Sequence, residues 1–274
     1  AFGDKRRTVI EESEKAVLET PVLDEPATVI FSNNGWARAR QGHGVDPASL
    51  SFKEGDSLAA LLPCRTVDPV IFLDSGGRAY SVEAAGLPSA RGDGAPASSL
   101  VEVQGGAKIM HCVAGKPDTK VLVASSGGYG FLCSIGDMVS NRRAGREFMS
   151  VEADETPLQP CAYDEAAGNH VIALSGGGRL LAFDIAEMRT MSKGRGVIVM
   201  GLDQGEKLLA AAVARLSSVT VSGIGRGGKD KLLEIKGEKL RHHVGHRARM
   251  GRVLPEKLKP TGLALPPKLQ LEGK

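Results

Sequence analysis

A chain of 274 residues that is 42% hydrophobic, 24% charged and only 4% aromatic can fold around a core, which excludes a disordered tail. No run approaches the roughly 18 apolar residues of a bilayer span, and no basic–apolar–small leader opens the sequence, so neither a membrane nor a secreted protein is expected. The net charge of +3 is uneven: residues 1–28 hold 4 basic and 7 acidic side chains, residues 29–214 hold 17 and 20, and residues 215–274 hold 14 and 5. Residues 1–27, with the charge run Glu11–Lys15 and the breakers Pro21 and Pro26, are predicted to be a linker. From there the sequence repeats. Asn34-Gly35, Gly76-Gly77, Gly127-Gly128, Gly177-Gly178 and Gly227-Gly228 recur at intervals of 42, 51, 50 and 50 residues. Before them stand the apolar runs Val29–Phe31, Val70–Leu73, Val121–Val123, His170–Leu174 and Val219–Val221. Four turns are followed by a second run: Arg78–Val82, Tyr129–Cys133, Arg179–Phe183 and Leu232–Ile235. Strand, glycine turn, strand is the pattern of a hairpin whose tight primed turn takes positive φ.

Each full unit continues alike. A polar or weakly helical stretch (Glu83–Pro88, Gly136–Ser140, Ile185–Met191) leads to a basic glycine-containing loop and then to one or two further strands. Val101–Val103, Ala107–Val113, Glu147–Val151 and Val197–Met200 are the candidates. About four strands per period of 40–50 residues predicts an all-β, five-bladed, propeller-like fold, with the ring either closed or open. The expected blades are 28–69, 70–120, 121–169, 170–218 and 219–265, followed by a tail over 266–274. Cys64, Cys112, Cys133 and Cys161 stand at least 21 positions apart, which suits reduced thiols of a cytoplasmic protein rather than a zinc knuckle or CxxC pair.

The basic loops are Arg38–Gly44, Ser89–Gly94, Ser140–Arg146, Met191–Gly196 and His246–Arg252. Their 33 residues hold 11 basic side chains and 1 acidic; the other 241 hold 24 and 31. Five loops of one sign at equivalent positions would form a positive belt on one edge of a ring. The candidate phosphate-binding residues are Arg38, Arg40, Arg91, Arg142, Arg143, Arg146, Lys193, Arg195, Arg247, Arg249 and Arg252. Guanidinium forks, ammonium groups and exposed glycine amides all reach phosphate oxygens. No aromatic residue sits in any loop, which points away from base stacking and toward double-stranded DNA. A propeller-like module that contacts an acidic protein is the alternative from another class.

Gly223–Lys229 fits the P-loop spacing, but Asp230 replaces the hydroxyl residue that binds Mg²⁺, so a hairpin turn is expected there. Arg91-Gly92-Asp93 would be an adhesion motif only on a secreted protein, and the six histidines form no HExxH.

These loops are where the sequence resembles a known family, the C-terminal β-pinwheel domain of type IIA topoisomerase A subunits, and within it the bacterial topoisomerase IV branch. The likeness rests on Ala1–Thr8, Gly35-Trp36, Gly42-His43, Phe52-Lys53-Glu54-Gly55-Asp56, Leu87–Gly92, Gly127–Phe131 and Ser192–Gly196. The gyrase branch carries the box Q-R-R-G-G-K-G, which no loop here has in full; Arg40-Gln41-Gly42-His43-Gly44 is a shortened form. Five units, where gyrase has six, also favour topoisomerase IV, with the gyrase domain as the alternative. The resemblance implies strand exchange between blades and a domain that binds and bends duplex DNA and presents it to the catalytic core of the same polypeptide. Decatenation and supercoil relaxation would be tuned in that way. It implies no catalysis and no cofactor in this part, since the family's nucleophilic tyrosine lies in the core. Tyr80, Tyr129 and Tyr163 lack that context. ATP, Mg²⁺ and partnership with the topoisomerase IV B subunit would belong to the whole enzyme, in the bacterial cytoplasm at the nucleoid.

Overall fold

The computed structural model describes residues 22–264 apart from 165, 167 and 226. Most of the expected linker, the likeness at Ala1–Thr8 and the tail lie outside these residues. The first unit contains β1 (Pro26–Ser32), β2 (Trp36–Gln41) and β3 (Leu58–Arg65). The second contains β4 (Pro69–Asp74), β5 (Arg78–Glu83), β6 (Ala95–Pro96) and β7 (Ile109–Ala114), with α1 (Ala97–Leu100) after β6. In the third, β8 (Lys120–Ala124) and β9 (Tyr129–Ser134) lead through α2 (Ile135–Met138) to β10 (Arg146–Glu147) and β11 (Cys161–Tyr163). The fourth is β12 (His170–Ser175), β13 (Arg179–Asp184), β14 (Val197–Ile198) and β15 (Leu208–Ala214). The fifth is β16 (Ser218–Ile224), β17 (Asp230–Lys236), α3 (Glu238–Arg241), β18 (Arg252–Val253) and β19 (Lys259–Ala264).

The units do not coincide with the sheets. The sheet orders are β3-β1-β2-β6, β10-β5-β4-β7, β11-β8-β9-β14, β15-β12-β13-β18 and β17-β16-β19. The third strand of each later unit therefore pairs with the outer hairpin strand of the blade before it: β6 on β2, β10 on β5, β14 on β9 and β18 on β13. Strand exchange is thus a property of this chain. The fifth blade receives no such strand among the described residues and keeps three. Of the expected further strands, Val101–Val103 is not one; the exchanged strand there is Ala95–Pro96, and at two residues it is too short for any period-2 pattern to mark.

The turns differ from the primed type expected. Gly35, Gly77, Gly128 and Gly178 take φ of 78°, 81°, 83° and 81°, but the residues before them do not take positive φ. Each of these glycines donates its amide to the carbonyl three residues earlier, on Ser32, Asp74, Ser125 and Ser175. This is a type I turn followed by a left-handed glycine, the usual longer hairpin connection. Carboxylates brace the tips. Asn34 donates to Asp56 Oδ1 at 3.0 Å and Gly177 to Glu206 Oε1 at 2.7 Å. In the second blade Ala107 stands where the others carry the turn acid, and Asp74 on the strand itself accepts from Gly76 at 2.9 Å. Burial works against the Glu206 carboxylate, yet the bonds from Ser175, Asp203 and Gly177, with Arg179 nearby, hold its pKa below the usual value.

Alternation along the first hairpin strands builds the core. Val29 and Phe31 pack with Val70 and Phe72; Ile71 and Leu73 with Val121 and Val123; Leu122 and Ala124 with Val171 and Ala173; Ile172 and Leu174 with Val219 and Val221. Each interior strand is buried on both faces, which is why it reads as an unbroken apolar run. Each fully buried large side chain contributes about 1.5–3 kcal/mol. The blades are stacked in a row of four interfaces, and no such cluster among the described residues joins the fifth blade to the first.

Candidate nucleic-acid interface

The segment that leads to each exchanged strand must cross the preceding blade, and the sequence provides for it with one residue. Ala39, Leu132 and Ala182, at equivalent points of β2, β9 and β13, each exchange two backbone hydrogen bonds with the crossing segment. These run to Pro88 and Ala90, to Arg189 and Met191, and to His243 and Gly245. At β5 the Ser81 hydroxyl takes that role and donates to the Ser140 carbonyl at 2.7 Å. Each crossing then ends in a left-handed glycine: Gly94, Gly145, Gly196 and Gly251, with φ of 90°, 62°, 83° and 71°. A Cβ there would stand 2.4, 2.4, 2.1 and 2.6 Å from the carbonyl oxygens of Ala37, Ala79, Gly130 and Leu180. Only glycine lets the two backbones meet.

The crossings are also joined to one another. Glu102 donates its amide to Arg143 O, Ser150 to Gly194 O, and Gly201 to Arg249 O, at 2.9, 3.1 and 3.0 Å. Four loops thus form one backbone-bonded belt from the second unit to the fifth. The loop over Arg38–Gly44 is not the fifth member of the register. Arg38 and Arg40 lie on β2, the strand that receives a crossing, and nothing lies within 4 Å of a Cβ on Gly44. The segment beyond it folds back on the first blade instead, where Ile30, Trp36, Arg38, Phe52 and Lys53 line one small cleft.

The belt sorts the candidate cations. Arg40, Arg91, Arg142, Arg143, Lys193, Arg249 and Arg252 are exposed. Arg143 reaches Leu100 O only at 3.5 Å, and Arg252 leans on the His242 ring. Arg38 is different: it is 5% exposed, donates to Gly92 O at 2.6 Å and Ser51 O at 2.7 Å, and stacks 5.3 Å from the Phe52 ring. It ties the second loop to the first blade and is withdrawn from the surface because the segment after β2, with Ser51 and Phe52, folds over the face on which it lies. Arg195 pairs with Glu152, and with Glu155 at 2.9 Å, and lies 4.2 Å over Tyr129. Arg247 donates to Ile198 O at 2.7 Å, while Arg146 is half-buried on β10. Arg195 and Arg247 thus hold the belt together.

Residues outside the expected loops join the exposed set. Arg189 precedes the fourth crossing, and Lys239 and Arg241 on α3 precede the fifth. Their signal in the sequence was position, directly before the loops rather than in them. Arg78 is a second tie, donating to Ala144 O at 2.7 Å. The tyrosines are used internally: Tyr80 OH donates to Asp74 Oδ2 at 2.9 Å in the first core, Tyr129 lies under Arg195, and Tyr163 is buried in another core.

Comparison with known proteins agrees with this architecture. A family model described as the DNA gyrase C-terminal domain, beta-propeller, matches residues 119–156 and 169–215. The A subunit of DNA topoisomerase 4 from Neisseria gonorrhoeae is 41% identical over 268 residues, covering 93% of this chain and 33% of that protein. Its Escherichia coli K12 counterpart is 33% identical over 264 residues, covering 93% of this chain and 34% of its own length. The chain therefore spans about a third of the length of these relatives. The solved E. coli ParC C-terminal domain superposes with a TM-score of 0.73 at 30% identity, over 88% of this chain and 98% of that one. A DNA gyrase A C-terminal domain shares the fold at 16% identity, with a TM-score of 0.61 over 88% of this chain and 82% of that one. The class is the C-terminal β-propeller of gyrase-type A subunits. Within it, the chain belongs to the family of C-terminal domains of topoisomerase IV A subunits.

Proposed function

We propose that this domain binds duplex DNA along the belt of crossings and bends it, presenting a segment to the catalytic core of its own polypeptide. Arg40, Arg91, Arg142, Arg143, Lys193, Arg249 and Arg252 are the phosphate contacts, with Arg189, Lys239 and Arg241 extending the track. Arg38, Arg195 and Arg247 act by positioning the loops. The observation that carries this reading is the placement of exposed cations at equivalent points of one continuous, backbone-bonded belt. Cations with glycine amides suit a phosphate backbone without reading bases. The domain does no bond chemistry; ATP and Mg²⁺ serve other parts of the enzyme, which includes the B subunit, and which works on chromosomal DNA in the bacterial cytoplasm.

The test is a mobility shift with duplex DNA across a salt series. If four to six phosphates are contacted, log K falls against log salt with a slope of roughly −4 to −5. Arg142→Ala with Arg143→Ala weakens binding and shallows the slope by about 2 at most. A flat salt dependence, or unchanged affinity in that double variant, would refute the reading, and tight binding of an acidic protein instead would favour a protein-interaction module.

A further inference from the structure

A belt that only neutralised phosphates would be polar throughout, and this one is not. Of ten exposed large hydrophobic side chains among the described residues, Val244, Met250 and Val253 lie along the fifth crossing and its strand, and Ile198 lies on the strand that the crossing meets. The geometry makes them neighbours of the cations. Arg247 donates to Ile198 O, Ala248 N to Val199 O at 3.2 Å, and Gly201 N to Arg249 O. The tip Arg247–Met250 is thus pinned beside the strand end at Ile198–Gly201. At its centre Ala248 takes φ of 65°, the sole non-glycine among the described residues with positive φ. Such a conformation persists only where its surroundings hold it, and it clusters at working sites. Its effect here is to leave Arg249 and Met250 exposed side by side, with Arg252 two residues beyond.

We propose that Met250, set beside Gly201, is an apolar wedge which enters the minor groove of the bound duplex and unstacks a base step. This rests on the DNA-binding reading. An exposed apolar group in basic surroundings has one partner that satisfies both: a duplex whose phosphates meet the arginines while the groove floor or an opened step takes the side chain. Apolar wedges between base steps kink DNA and let more of it follow a curved surface. The other crossings lack this combination. At the tip of the second stand Arg91, Gly92 and Asp93, at that of the third Asn141, Arg142 and Arg143, and at that of the fourth Ser192, Lys193 and Gly194, where the nearby Met191 is packed against the core instead of exposed. The kink therefore falls at one end of the belt. An acidic protein docking on the same patch is the competing occupant, and the test separates it.

The 274-residue chain is titrated onto a duplex of about 30 base pairs, end-labelled for energy transfer, with one flexible TA step carrying 2-aminopurine. Anisotropy reads affinity, energy transfer reads bending, and 2-aminopurine fluorescence reads unstacking. Wild type raises all three signals. Met250→Ala and Met250→Gln bind within about threefold of wild type, as expected for an exposed apolar residue, but lose most of the bend and the unstacking. Met250→Leu keeps both, and Met250→Lys binds at least as tightly yet does not unstack the step. Full bending and unstacking by Met250→Ala would overturn the wedge while leaving the belt intact, and so would a wild-type complex in which 2-aminopurine stays quenched. Absence of duplex binding by wild type would be read by anisotropy alone, and would remove the DNA-binding reading and the wedge together.

Discussion

Eleven cations of one charge and similar spacing divide, at the scale of the residue, into two kinds that composition could not separate. Arg142 and Arg143 stand in solvent, whereas Arg38 and Arg195 are consumed by carbonyls, carboxylates and rings. The difference lies in partners far along the chain: Gly92 for Arg38, Glu152 and Glu155 for Arg195. A local reading of loop charge has no access to them. Alternation on β2 puts Arg38 on one face with Trp36 but also with the exposed Arg40, so it could not have separated the two, and Arg195 carried no sign either. The distinction predicts opposite phenotypes within one loop. Arg195→Ala leaves Glu155, itself 8% exposed in its side chain, without its cation. It should cost on the order of 1–2 kcal/mol and lower the thermal midpoint. Lys193→Ala should leave the melt within about 0.5 kcal/mol of wild type and lower DNA affinity instead. Equal melts for the two variants would show that the Arg195 pair holds nothing. The cysteines follow the same logic. Burial pushes the Cys64 thiol up to about 11 and Cys133 to about 12, so both stay protonated and inert, as their isolation in the sequence implied.

Hairpins were the most legible elements, because a doubly buried strand before a glycine turn is written as an apolar run of three to five residues. The exchanged strands were the least legible, being two residues long and paired with strand residues 58 to 74 positions earlier. The crossing glycine was visible in the sequence, at 17, 17 and 18 residues after the turn glycine in units two to four, but it read as an exposed amide for phosphate. Its role is steric. The same misreading made Gly44, 9 residues after Gly35, look like a truncated equivalent, when the first unit has no earlier blade among the described residues to cross. Replacement tests this directly. Gly145→Ala suffers left-handed strain of about 1–2 kcal/mol and a Cβ 2.4 Å from Ala79 O. Gly44→Ala, at φ 73°, suffers the strain alone. At about 2–4 °C per kcal/mol for a chain of this size, Gly145→Ala should melt several degrees below Gly44→Ala, and should weaken DNA binding by loosening the belt. Matching melts would mean that the crossing yields without cost.

For the molecule as a whole, the two ends of the row explain how the stack of blades can stop. On the first blade, the segment after β2 covers the face turned away from its neighbour, with Lys53 3.6 Å over Trp36 and Phe52 beneath Arg38. On the fifth, β16 alternates: Val219 and Val221 face the fourth blade, while Thr220 and Ser222 lie on the opposite face and need no cover. That alternation stood in the sequence beside four unbroken apolar runs. The DNA path follows from this arrangement. The crossings of units two to five lie over blades one to four, and the first blade offers only Arg40 and the crossing's Arg91, so the strongest contacts cover an arc with its most basic end at the fifth unit's loop, over the fourth blade. Bending 20–30 base pairs by 40–90° costs about 1–6 kcal/mol, which an arc of seven or so cations can offset. A full turn of fixed hand needs anchors at both ends, yet the fifth blade receives no crossing among the described residues and the first has only Arg40 and Arg91. Binding the chain to nicked circular DNA, ligating and deproteinising should then leave the linking number almost unchanged at saturation. A large positive shift per bound domain would mean a gyrase-like wrap, and with it a phosphate track across the first blade that Arg40 and Arg91 alone do not provide.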